Sequence, residues 1–133
     1  MEAQALITRY YAAFNAGDFA GMTAMVTDDF AHDPNQGTRR VGKALFTEFL
    51  AKMDRCYREQ VVDLVVMANG DDKRAAAEFV INGQYLVAED GLPPAHGQAY
   101  RLPVGAFFDV RDGKIARVTN YYNLEDWLAQ VSK

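Results

Sequence analysis

The stretch Ala31-His32-Asp33-Pro34-Asn35 follows two helical patterns and sets a carboxylate at the entrance to an otherwise apolar sheet. Upstream, Ala3, Leu6, Ile7, Tyr10 and Phe14 recur at helical spacing until Asn15-Ala16-Gly17-Asp18 interrupts them. Gly17 suits the left-handed residue that ends a helix, and Asp18 suits the cap of a second helix with inner face Phe19, Met22 and Val26. Phe30 to Asp33 reads as a short extended piece. Pro34 to Gly42 is polar loop, and Leu45, Phe46, Phe49, Leu50 and Met53 mark a third amphipathic helix.

Beyond Met53 the period changes. Val61 to Met67 is a β-branched run closed by Asn69-Gly70-Asp71-Asp72, a strand with a tight turn. Ala75 to Ala88 and Ala99 to Val110 predict a long hairpin. Its tip, Glu89 to Gly97, is too rich in Gly and Pro for regular pairing and reads as a mobile, lid-like loop that carries His96 in an exposed position. Asp112-Gly113 turns the chain into a last strand, Lys114 to Asn123, and Leu124 to Val131 adds a short helix with Trp127. Three helices followed by antiparallel strands predict an α+β fold in which helices cover one face of a bent sheet and leave a cavity. Regular alternation turns Val104, Phe108 and Ile115 to the uncovered face, which predicts a homodimer formed sheet to sheet.

At 133 residues, 50% of them hydrophobic, the chain is one domain spanning 1–133. Fourteen Lys and Arg against eighteen Asp and Glu give a net charge of −4, and no basic cluster exceeds Arg39-Arg40, so nucleic acid is not an expected partner. No window approaches the roughly 18 apolar residues of a membrane span, and Met1-Glu2-Ala3-Gln4 lacks a basic leader segment, so a cytoplasmic protein away from membranes is expected. The lone Cys56 has no internal disulfide partner and reads as a structural thiol. His32, Asp33 and the distant His96 lack metal-ligand spacing, so no metal is expected. Covalent catalysis lacks a nucleophile, because the single serine is Ser132 and Cys56 falls at a helix C-terminus, where the dipole disfavours a thiolate. Without a glycine-rich phosphate loop, chemistry free of cofactors is favoured.

Arg9-Tyr10, Asn15-Ala16-Gly17-Asp18, His32-Asp33-Pro34 and the run Asp109 to Ile115 stand in an order that resembles the ketosteroid isomerase relatives. More broadly the chain resembles the nuclear transport factor 2-like superfamily, with its SnoaL-like polyketide cyclases and limonene epoxide hydrolases. The resemblance implies a cone-shaped, cystatin-like roll. In it a curved, mixed but mostly antiparallel sheet wraps three N-terminal helices around an apolar pocket, and the molecule pairs as a homodimer. In ketosteroid isomerase an Asp takes a proton beside a carbonyl, while a Tyr and a protonated Asp hydrogen-bond the dienolate oxygen. The resemblance gives Asp33 the role of base and Tyr10 that of donor, and it places Gly105 where the second acid would stand.

Asn120 and Tyr122, from the last strand, are expected to hydrogen-bond Asp33 or the substrate. The expected pocket lining also includes Phe14, Phe49, Met53, Phe79 and Phe107, with Phe79, Phe107 and Tyr122 on the side of Asp33 and Gly105 leaving space. Arg101 is followed two residues later by Pro103 instead of the Asp of an Asp-Arg-Asp epoxide-opening set, and an inward Arg101 would bind a carboxylate or enolate. Plainer roles compete: Asp33 capping the Pro34 turn, Tyr10 as a core tyrosine, and His32 as a structural or rim histidine, since strand neighbours face opposite ways. The expected function is a cofactor-independent isomerase, cyclase or lyase that abstracts a proton from a small hydrophobic carbonyl compound. The alternative is a non-catalytic domain for binding hydrophobic small molecules or for dimerisation.

Overall fold

The computed structural model describes residues 2–133, leaving Met1 outside. Helix α1 (Glu2–Ala16) buries Leu6, Ile7, Tyr10 and Tyr11. Gly17 then turns the chain at φ 70°, and Asp18 caps α2 (Phe19–Ala24) by accepting the Gly21 N–H at 2.9 Å. Val26, expected on this second helix, instead begins strand β1 (Val26–Asp33). The Ile115 N–H donates to the Met25 carbonyl at 2.8 Å and draws the chain into the sheet four residues before the expected start. The polar loop contains a two-residue strand, β2 (Arg40–Val41), paired back on β1. Then follow α3 (Lys43–Cys56), β3 (Tyr57–Ala68), β4 (Arg74–Tyr85), β5 (Gln98–Arg111), β6 (Lys114–Tyr122) and α4 (Leu124–Val131).

The six strands form one curved, unclosed sheet in the order β2-β1-β6-β5-β4-β3, antiparallel except for the parallel pair β1 and β6. Helix α1 lies on β3 and β4, α4 on β5, and α3 touches both β1 and β3. Helix α3, about 21 Å long, thus reaches from β1 to β3, which continues directly from its C-terminal end.

Which residues face the helices is set by register. His32 pairs with Val118 and Asp33 with Thr119. His32 packs on Phe49 and Phe46 of α3, at ring-centroid distances of 4.4 and 5.7 Å. The inward set therefore includes Val118, Asn120 and Tyr122 on β6 and Tyr100, Leu102, Val104, Ala106 and Phe108 on β5. Val104, Phe108 and Ile115, expected on the uncovered face, point into the core, and Phe108 and Ile115 are fully buried there. Regular alternation fails at irregularities between Asp109 and Val110 and at Asp63, whose φ of 55° marks a bulge in β3. Tyr10 and Tyr11 meet Phe108 edge-on, and Tyr11 lies 4.7 Å from Phe79, which closes the core between α1 and the middle of the sheet.

Candidate functional site

Asp33 stands on the outer face, away from the helices. Its carboxylate accepts Nε and Nη2 of Arg39 at 2.7 and 3.0 Å and the Thr119 hydroxyl at 2.6 Å. The guanidinium beside it holds its pKa down at about 2, against a partial upward push from burial. A carboxylate that acidic is a poor match for removing a proton beside a carbonyl at neutral pH. Nor does Asp33 cap the Pro34 turn. It belongs to a chain of polar contacts running from Arg39 through Asp33 and Thr119 to Arg117, Asp109 and Arg74. The chain lines an open groove of about 720 Å³.

Tyr10 is a core tyrosine, and burial raises its phenol pKa. It faces Phe108 on the opposite side of the sheet from Asp33, so the two residues expected as donor and base do not share a pocket. Arg101, Gly105 and Phe107 also fall outside. Arg101 is exposed, 3.6 Å from Asp63. Gly105 pairs with Glu78 and Tyr121, both exposed, and the inward neighbours of this position are Val104 and Ala106. Phe107 packs edge-on against Tyr121 at 5.9 Å. Phe79, Asn120 and Tyr122 lie on the other side, so neither Asn120 nor Tyr122 reaches Asp33, and Thr119 takes that place.

The inward face holds a different polar group. Phe14, Phe49, Met53, Asn120 and Tyr122 are all half-buried, as are Tyr57 and Glu59 of β3. Inward side chains that keep partial exposure show that water still reaches between helices and sheet at this end. Tyr100 Oη donates to Glu59 Oε2 at 2.6 Å, and Tyr57 donates to Glu89, which also binds Lys52 at 2.5 Å. Burial lifts the Glu59 carboxyl above its ordinary value, with the Tyr100 hydrogen bond opposing. Burial also pushes Glu89 up, but Lys52 and Tyr57 together outweigh it and hold that carboxyl low. The phenols of Tyr57, Tyr100 and Tyr122 are all raised, chiefly by burial, and stay protonated at neutral pH.

Strand β3 begins at Tyr57, four residues before the β-branched run that opens at Val61, and so adds Tyr57 and Glu59 to the inward face. The alternation Tyr57, Glu59, Val61 was the signal that extends it inward. His32, also inward, is 2% exposed, and burial with Arg40 nearby lowers its pKa to about 4. Its Nδ1 is enclosed without a hydrogen-bond partner. Among the described residues no group of three or more His, Cys, Asp or Glu could hold a metal.

The loop after β4, expected to be mobile, is tied down. Tyr85 Oη donates to the Pro93 carbonyl at 2.7 Å, Gln98 Nε2 to the Pro94 carbonyl at 2.8 Å, and Glu89 anchors its start. It covers the end of the sheet where Tyr57, Tyr85 and Trp127 pack together. Among the described residues no helix is long and apolar enough to cross a membrane.

Comparison with known proteins agrees with this architecture. A provisionally assigned polyketide cyclase from Pseudomonas putida KT2440 is 59% identical, with 98% of each chain covered and a TM-score of 0.97. Another from Xanthomonas campestris pv. campestris is 55% identical over 98% of this chain and 96% of that one, with a TM-score of 0.95. An NTF2-like protein from Anabaena variabilis, 22% identical with a TM-score of 0.75 over 92% of this chain and 90% of its own, shares the fold. No curated protein matches the chain. The model of the SnoaL-like domain matches residues 7–118, most of the chain including β1, β5, Glu59 and Tyr100, and the chain belongs to the SnoaL-like domain family.

Proposed function

We propose that the chain is a cofactor-independent isomerase or cyclase that moves a proton on a small hydrophobic carbonyl compound held between helices and sheet. One observation carries this reading. Protonated phenols from β5 and β6 converge with a carboxyl of raised pKa on the inward face, where Phe14, Phe49 and Met53 also keep half-buried apolar side chains. A phenol such as Tyr122, held in place for a developing enolate oxygen, stabilises it without the reorganisation that water would need. The provisional assignment of two relatives above 50% identity as polyketide cyclases supports the same reaction class. The buried free thiol of Cys56 suits work in a reducing cytoplasm.

The test is carbon acid exchange. With 2-tetralone in D2O, NMR is expected to show α-deuteration accelerated at least about a hundredfold over buffer, the lower range for a positioned acid-base group. Tight binding without exchange, across 2-tetralone and open-chain 1,3-diketones, would turn the reading to a hydrophobic-ligand-binding domain.

The outer face supports a second reading, association with a second copy. Phe107 and Tyr121 there are 47% and 58% exposed, and Val65 and Met67 add exposed apolar surface on the same side of β3. Apolar surface of this kind marks contact sites.

A further inference from the structure

We infer that Glu59 is the proton-transferring base of this site, and that Tyr100, seated in the notch left by Gly83, is the residue that positions it. The inference rests on the reading of the inward face as the reaction site. Its starting point is register: Glu59 of β3 pairs with Gly83 of β4, and Gly83 pairs with Tyr100 of β5. Glu59 and Tyr100 are therefore two strand spacings apart, about 9.5 Å, with a whole strand between them.

The phenol bridges that gap by lying across the middle strand. A Cβ on Gly83 would stand 2.3 Å from Tyr100 Cζ and 2.6 Å from its Oη, so any side chain at 83 would expel the ring. Gly83 has no positive φ to explain it, and close approach is its structural reason. The consequence is a hydrogen bond of 2.6 Å to Oε2 that fixes the carboxyl and leaves Oε1 to meet a substrate.

Charge pairing separates Glu59 from the inward Glu89 and from the outer Asp29, Asp33 and Asp109. Asp29, Asp33 and Asp109 are outside and each is bound to arginine, while the inward Glu89 is bound to Lys52. Glu59 is in none of the ion pairs among the described residues. The groups that face it are phenols: Tyr100 from β5 and Tyr122 from β6. A carboxyl held by a phenol, with no cation to pin it ionised, is free to take up and release a proton.

The step needs no further reagent. Glu59 Oε1 takes a proton from a carbon beside the carbonyl. The C–H electron pair moves into a carbon–carbon double bond as the carbonyl π pair moves onto oxygen, and the phenol of Tyr122 hydrogen-bonds the resulting enolate. Glu59 then returns the proton to another carbon, which isomerises the substrate. In a cyclisation the enolate carbon attacks a second carbonyl of the same molecule, and that oxygen receives the proton.

Two readouts test the inference. In protein labelled with 13C at glutamate carboxyls, the Glu59 signal, identified by its loss in Glu59→Gln, is expected to titrate above the usual glutamate value of about 4.3. Tyr100→Phe and Gly83→Ala should each move it higher, because each removes a hydrogen bond to the ionised form. With 2-tetralone, Glu59→Gln should slow α-deuteration at least about a hundredfold, and Tyr100→Phe should shift the acid limb of the pH-rate profile upward in step with the NMR titration. Exchange that survives Glu59→Gln overturns the base assignment alone. Absence of exchange in the unaltered protein overturns it together with the proposed function. A Glu59 titration unmoved by Tyr100→Phe overturns the positioning role.

Discussion

His32 and Asp33 are neighbours with opposite electrostatic fates, and each makes stability depend on pH in its own window. The buried imidazole of His32 has a pKa lowered from 6.5 to about 4. Between those values the unfolded chain binds a proton that the folded one refuses, so stability falls as pH drops from about 6.5 to about 4, by on the order of 3 kcal/mol. Urea midpoints across that range should show the fall, and His32→Met should flatten it. Asp33 is stabilising above its ordinary pKa, and that contribution is lost as pH falls toward about 2. Because Arg39 is half exposed, Asp33→Asn should cost about 1 kcal/mol or less in a denaturant titration and leave α-deuteration in place. Sequence alone shows that the two residues face opposite ways. Which one faces inward depends on Asp33 pairing with Thr119, some 86 residues away, and no local pattern encodes that choice.

At the level of elements, the helices, the long hairpin and the Asp112-Gly113 turn were legible because local periodicity and turn chemistry specify them. The start of β1 at Val26 and the first residues of β3 were not, since each exists through pairing with a later strand, and the two-residue β2 is too short to carry a pattern of its own. Loop 89–97 carries side-chain anchors that its Gly and Pro content, which rules out strand pairing, does not reveal. Glu89 is the anchor with the most to lose, bound to both Tyr57 and Lys52. Glu89→Ala should speed amide hydrogen exchange at Leu92, whose N–H bonds the Glu89 carbonyl, at least about tenfold, the effect of losing a charge-assisted hydrogen bond of about 1.5 kcal/mol. Exchange within β4 should stay unchanged.

For the whole molecule, the α+β order and the covering of one sheet face follow from the sequence of patterns, but the composition of the free face does not. The aromatic pair Phe107 and Tyr121 stands there instead of Val104, Phe108 and Ile115, flanked by the arginine and aspartate chain around Asp33. If this face seats a second copy, light scattering should give twice the chain mass of 14.8 kDa, and Phe107→Glu should return the single-chain mass with the circular dichroism unaltered. The parallel pairing of β1 with β6 has a consequence for synthesis. Strands β3 to β6 form a meander in which each pairs with its neighbour in sequence, so it can zip up as soon as it emerges. Strand β1 is made early, yet beyond β2 its sole sheet partner is the last strand to be translated. Strand β1 must therefore wait for that partner until nearly all the protein has left the ribosome, with only Phe46 of α3 available to Phe30 nearby in sequence. That docking, closing a loop of some 80 residues, is the step at which chaperone binding would matter most.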